Sequence, residues 1–324
     1  MAAGNPSIAQ ERTSDIKTKR KSVLRQLLKH RALIILAIPG IIMLFINNYL
    51  PMFGIFLAFK DLNYTKGVWG SDWVGFQNFK FLFASNDAWM IIKHTILYNA
   101  VFLIINTTLA VLLAILLNEV RRKMLSKFFQ SAAILPNFVS MVIVGYLVYG
   151  FLNPELGFIN KSILEPMGKE TIAWYAEPKY WPYILTIVNT WKTVGYSAIV
   201  YLAAIVGIDQ EYYEAARIDG ASKWKQMTSI TVPLITPVII ILTLLAVGRI
   251  FNADFGLFYQ ATMASGMLKE TTEVIDTYVY NALLVTGDTG LASSAGLLQS
   301  VVGFMLVITV NYVVKKISKE NALF

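Results

Sequence analysis

Long apolar runs separated by polar stretches of uneven length make up this chain. A helix that crosses a bilayer needs about 20 predominantly apolar residues, and six segments qualify: 33–59, 95–117, 132–152, 182–206, 234–251 and 291–314. The first is long and is interrupted by Pro39, Asn47, Asn48 and Pro51. The polar stretches between the runs have their own patterns. Residues 60–93 carry Gly67, Trp69, Gly70, Trp73 and Gly75, then Phe76, Phe79, Phe81 and Phe83. The later part of that stretch predicts a short helix lying at a membrane surface, where aromatic rings sit favourably. Residues 153–181 are punctuated by Pro154, Gly157, Pro166, Gly168 and Pro178. In 253–290, the run Glu273-Val274-Ile275-Asp276-Thr277-Tyr278-Val279-Tyr280 predicts a helix that leads into a turn around Gly287 and Gly290. The expected fold is an all-α polytopic membrane protein with six transmembrane helices.

The insert between the fourth and fifth runs is polar yet helix-forming. Asp209 can cap a helix start by accepting from free N–H groups of the first turn, and Glu211 and Glu214 put negative charge toward the positive end of the helix dipole. Ala215 and Ala216 favour helix and have little bulk, so another surface can come close. Gly220 can take the left-handed conformation that stops a helix. Ser222 can cap a second short helix, and Pro233 marks entry to the next span. A helix–turn–helix of this kind suits a cleft on another protein.

Composition and charge set the orientation. The 324 residues are 56% apolar and 13% aromatic, with 15% charged, against about 25% charged in ordinary globular domains. The net charge of +8 does not imply nucleic acid, because of where it lies. With the N-terminus in the cytoplasm, 18 Lys and Arg residues fall inside and eight outside, and Lys192 and Arg249 fall within spans. Acidic residues run the other way, eight inside and 12 outside. The positive-inside rule then puts both termini in the cytoplasm, and with them the 209–233 insert. The expected organisation is a basic cytoplasmic segment 1–32, a six-span domain 33–314 and a cytoplasmic tail 315–324. The basic start is too long, and the first apolar run too extended, for a cleaved signal peptide. With no cysteine, neither a disulfide framework nor thiolate chemistry is available.

Charges within spans are costly and usually face an interior cavity. Asn189, Lys192 and Tyr196 recur at i, i+3 and i+7, which is one helix face. Arg249 and Asn252 lie three apart, with Asp254 just beyond. These six residues are the candidate substrate pathway, in which Asn and Tyr would bond hydroxyls and the two cations would meet acidic groups. In the alternative, Lys192 is structural and Arg249 pairs with Asp254 or reaches to the interface. The isolated histidines His30 and His94 suggest no metal. No buried acid–base pair or activated nucleophile supports a membrane enzyme. No Gly-x4-Gly-Lys-Ser/Thr loop occurs, so the chain lacks that phosphate cradle. A secondary transporter would also need polar residues in its spans, but would run on an ion gradient without an ATPase.

The pattern Glu214-Ala215-Ala216, then Gly220, then Ile230-Thr231-Val232-Pro233 resembles the EAA loop of permease subunits of binding-protein-dependent ABC importers, with Val232 where Leu is usual. Tyr49–Gly54, Ala58–Asp61, Trp73–Phe79, Leu117–Arg121, Leu135–Ser140, Trp191-Lys192 with Gly195, Tyr201–Ala204, Val274–Tyr280 and Ala295–Ser300 extend the likeness. Together they are similar to the polysaccharide-type sugar permeases over nearly the whole chain. The resemblance implies a carbohydrate importer permease in the bacterial cytoplasmic (inner) membrane. Its partners would be a second homologous permease subunit, two ATPase subunits and an extracytoplasmic solute-binding protein, with no nucleic acid involved. No cofactor would reside in this chain, and Mg-ATP would be bound by the ATPases. Glu214, Ala215, Ala216, Asp219 and Gly220 would dock the ATPase, with Glu214 making a charged contact. In this family Arg249 and Asp254 stand where small or neutral residues are usual, which would tune the pathway toward an acidic sugar such as a uronate oligomer.

Overall fold

The computed structural model describes residues 30–84 and 86–317 and resolves the chain into two units that divide after Phe56. The expectations for residues 1–29 and 318–324 lie outside the described residues. The first unit contains helix α1 (Arg31–Leu44), with Pro39 inside it. The helix widens over Phe45–Tyr49 and continues into a tighter form from Leu50. Asn47 and Asn48 return their side-chain amides to the carbonyls of Met43 and Leu44, at 2.8 and 3.2 Å. Turning polar groups back onto the helix in this way keeps them compatible with an apolar surrounding.

In the second unit, helices α2 (Gln77–Ala84), α3 (Asn86–Asn118), α4 (Lys123–Phe138), α5 (Met141–Leu152) and α6 (Trp181–Val206) come first. The polar insert follows as α7 (Gln210–Ile218) and α8 (Lys223–Gln226). Then come α9 (Val232–Gly248), α10 (Ile275–Leu284) and α11 (Thr289–Ile317). A two-stranded antiparallel ribbon, β1 (Lys60–Asp61) with β2 (Asp72–Trp73), departs from the all-helical expectation. Lys60 folds back to donate to the carbonyls of Val68, Trp69 and Ser71, at 2.9, 3.2 and 3.3 Å, and this closes the loop between the two strands.

Among the described residues, four helices are long and apolar enough to cross a membrane, and the number reaches six if each of two bent pairs is one span. The bends have local causes. Residues 132–152, expected as one span, break by 95° between α4 and α5. Val139 and Ser140 leave the helical conformation there, and the Ser140 side chain accepts from the N–H of Val142 to start α5. A 71° bend separates α6 from α7, where Asp209 accepts from the N–H of Glu211. The fifth apolar run, expected to reach residue 251, ends its helix at Gly248.

Close packing centres on α3 and α6. Ala110, Ala114 and Ala198 are fully buried where these helices meet Leu202, Ile205 and Ile235. Apolar surface alone gives little drive between helices in lipid, so small residues that permit close backbone approach favour association there. A second cluster gathers Trp181, Leu185, Val144, Leu152, Tyr98 and Phe258. The polar stretches converge over it: Tyr175 donates to the carbonyl of Ala261, Ser265 to that of Tyr175, and Tyr98 to that of Thr271.

Candidate functional site

A cavity of about 730 Å³ opens between α3, α6 and the end of α9. From α3 it is lined by Asn99, Leu103, Asn106 and Thr107, and from α6 by Asn189, Thr193, Tyr196, Ser197 and Tyr201. Arg249 and Asn252 complete the wall beyond the last turn of α9. Four residues expected from the sequence therefore share one space: Asn189, Tyr196, Arg249 and Asn252. Asn106 and Asn189 join across it, amide to amide, at 2.7 Å. The α3 residues are ones that sequence reasoning missed. Asn99, Leu103, Asn106 and Thr107 lie at i, i+4, i+7 and i+8, one helical face, and two asparagines seven apart in an otherwise apolar run were the available signal.

Lys192 and Asp254 do other work. The Lys192 ammonium donates to the carbonyls of Pro136, Asn137 and Val139. These lie at the C-terminus of α4, where the last carbonyls lack helical partners and carry the negative end of the dipole. One turn later, a Cβ on the buried Gly195 would stand 1.7 Å from the carbonyl oxygen of Ala133, so Gly195 is what lets α6 approach α4 this closely. Asp254 accepts from the N–H of Leu257 at 3.1 Å and starts the next turn. It does not pair with Arg249, and among the described residues Arg249 forms no ion pair. Its guanidinium is exposed beside the cavity's hydroxyls and amides. The arrangement can bond many hydroxyl groups and hold one anionic group.

The polar insert presents a second candidate surface. Glu211, Glu214, Ala215 and Ile218 are all exposed, at i, i+3, i+4 and i+7 of α7. Ile218 is 87% exposed and Trp224, on α8, 70%, so this otherwise polar insert carries two bare apolar side chains. Asp219 and Gly220 close the helix, and Gly220 takes φ +76° as the turn requires. The other side of the insert is fastened at two points: Tyr213 Oη lies 2.9 Å from Thr231 Oγ1, and Lys223 reaches Glu119, at the end of α3, at 2.9 Å. Tyr213 and Trp224 were not singled out from the sequence, and Ile218 and Glu119 entered only as members of longer motifs.

Comparison with known proteins places this geometry. A family model described as "Binding-protein-dependent transport system inner membrane component" matches residues 106–319. Protein LplB of Bacillus subtilis (strain 168) is 33% identical over 97% of this chain and 99% of its own length. The polygalacturonan/rhamnogalacturonan transport system permease protein YteP of the same organism is 37% identical over 94% of each. Among solved structures, a chain of a bacterial ABC transporter involved in the import of the acidic polysaccharide alginate aligns with a TM-score of 0.83 at 32% identity. That alignment covers 92% of this chain and 99% of the other. A second structure of an alginate ABC transporter, in complex with an alginate pentasaccharide-bound periplasmic protein, aligns at 0.81 and 32% identity, over 91% and 98%.

Proposed function

Because the chain belongs to the family of binding-protein-dependent transport system inner membrane components, we propose that it is the permease of an ABC importer for acidic oligosaccharides or polysaccharides. α4 with α5 then counts as one span and α6 as another, giving six with α1, α3, α9 and α11, and the termini and the α7–α8 insert lie in the cytoplasm. The translocation pathway forms with a second, related permease. Mg-ATP is hydrolysed by two ATPase subunits, and an extracytoplasmic binding protein delivers the sugar. The likeness to YteP and to the alginate transporters supports the carbohydrate class.

The observation that carries the acidic preference is the Arg249 guanidinium, unpaired among the described residues, beside the amides and hydroxyls of a cavity otherwise lined by apolar side chains such as Phe102, Leu242 and Leu245. A cation at this depth is expensive to keep, and a carboxylate on the passing sugar supplies the charge-assisted bonds that offset the cost. Asn106, Asn189 and Tyr196 offer donors and acceptors to the sugar hydroxyls, and the cavity is large enough for one or two sugar rings at a time.

Energy enters through α7. Glu214, Ala215 and Ile218 face outward for a partner's cleft, while Tyr213 and Lys223 tie the insert to the start of α9 and the end of α3. Movement of an ATPase against α7 is thereby transmitted to two of the helices that line the cavity, and access alternates between the two sides. The test is purification with the partner subunits. Glu214→Lys and Ile218→Asp are expected to lose the ATPases from the purified complex while leaving the two permeases together. ATPases retained in full by both variants would overturn the docking role. Sugar uptake on an ion gradient alone would overturn the importer reading.

A further inference from the structure

The motifs around Asp276 and Gln299 lie off the cavity, and nothing so far accounts for their side chains. Both point at the same short stretch of backbone. After α9 stops at Gly248, residues 250–253 run without regular helix before the chain turns again. Backbone groups outside regular helix still need hydrogen-bond partners where they are shielded from water, and here side chains from three helices supply them. Asn99 of α3 donates to the carbonyls of Ile250 and Asn252, at 2.8 and 3.2 Å. Gln299 of α11 donates to the carbonyl of Phe251 at 2.7 Å. Asp276 of α10 accepts from the N–H of Ala253 at 2.7 Å and from Gln299 at 3.1 Å. Three consecutive carbonyls and the next amide are thus held by a connected set of side chains, and Phe251 is buried beside Ile275 and Tyr278. Arg249 and Asn252, which flank and belong to the held stretch, are the residues it offers to the cavity.

We propose that Asp276 and Gln299 are positioning residues for substrate recognition: with Asn99 they clasp the non-helical segment 250–253 in the one conformation that presents Arg249 and Asn252 to the cavity. This rests on the functional reading above. Neither Asp276 nor Gln299 touches the substrate. They act through the backbone, so their loss leaves the sugar-binding groups intact but misplaced. Burial pushes the Asp276 carboxyl above the ordinary carboxylate range, while the Ala253 N–H and the Gln299 amide draw it down. Both of those partners donate, so the carboxylate oxygen they share serves as an acceptor. An asparagine side chain keeps such an acceptor, whereas alanine removes it.

The experiment uses the whole importer with its binding protein, in wild type and in Asp276→Ala, Asp276→Asn and Gln299→Ala. Two quantities are read: ATPase stimulation by pentagalacturonate-loaded binding protein, and hydrogen exchange of the peptide that covers 249–254. Asp276→Ala and Gln299→Ala are expected to raise KM about tenfold, the scale of one lost buried hydrogen bond, with kcat within about a factor of two. Exchange over 249–254 speeds up in both, and Asp276→Asn restores KM and protection. A variant that loses stability while KM stays at the wild-type value would reduce the clasp to packing and overturn the proposal. Unchanged exchange over 249–254 would overturn it whatever the transport result. Should Asp276→Ala fail to assemble, Gln299→Ala gives both readings. A wild-type complex insensitive to pentagalacturonate would instead sink the choice of substrate, and the clasp would then stand or fall on exchange alone.

Discussion

Single side chains in this protein are assigned by what they touch, and the two cations within the apolar runs show how far neighbours decide. Lys192 and Arg249 look equivalent in sequence, each a lone positive charge in a hydrophobic stretch. Lys192 is consumed by three carbonyls at the end of α4, whereas Arg249 extends into the polar cavity. Nothing in either local sequence separates them, because the partners of Lys192 lie more than 50 residues away. Glu273 makes a different point about charge. Its side chain is 3% exposed, with Lys269 Nζ at 3.3 Å, and burial pushes its carboxyl above the ordinary 4.5 against the pull of Lys269, with Asp87 adding to the rise. A carboxyl with a higher pKa folded than unfolded binds more protons in the folded state. Its contribution therefore favours folding below 4.5 and is lost as pH rises through the raised value. The melting temperature of the purified complex should fall across that window more steeply in wild type than in Glu273→Gln. Parallel curves for the two would show that the carboxyl is not the source.

At the scale of elements, the bends matter more than the lengths. The long apolar runs announced α3, α6, α9 and α11, since composition alone marks a segment that lipid will accept, but α3 starts at Asn86 rather than 95 and α9 stops at Gly248 rather than 251. The caps at Asp209 and Ser222 and the left-handed Gly220 were equally legible, because their chemistry is local to a few residues. The 95° break at Val139-Ser140 was not. The run 132–152 is mostly apolar, and Asn137 and Ser140 within it are too few to mark an end; the Ser140 cap starts α5, and Lys192 of α6 holds the last carbonyls of α4. Gly195→Ala tests the pairing of α4 with α6, because its methyl would have to displace the backbone of Ala133. Overpacking of this kind costs about 1–3 kcal/mol, so the melting temperature should drop by several degrees. An unchanged melting temperature would mean that α4 and α6 do not depend on this contact. The end of α9 was likewise hidden: Ile250 and Phe251 resume the apolar run beyond Arg249, and side chains from α3, α10 and α11 take up the unwound backbone's hydrogen bonds.

Across the whole molecule, the second unit joins two surfaces of opposite character through the same helices. The cavity is built on α3, α6 and the stretch after α9, and the insert is fastened to the end of α3 and the start of α9. Under the proposed function, a push on the insert would displace the cavity walls through these two ties. The sequence motifs pointed to the insert directly and to the cavity only through its α6 residues and those after α9. The α3 wall needed the fold. In the proposed function this cavity passes an acidic sugar under ATP drive and reads its charge through Arg249. The most direct test is uptake of labelled pentagalacturonate and of its fully methyl-esterified, neutral form. Proteoliposomes containing the complete importer would be used, with binding protein saturating for each sugar. Wild type should accumulate the acidic form only with ATP, and Arg249→Gln should slow that uptake about tenfold, as loss of a charge-assisted contact implies, while leaving the neutral form unaffected. Equal uptake of both forms by wild type and Arg249→Gln, or accumulation without ATP, would contradict the account.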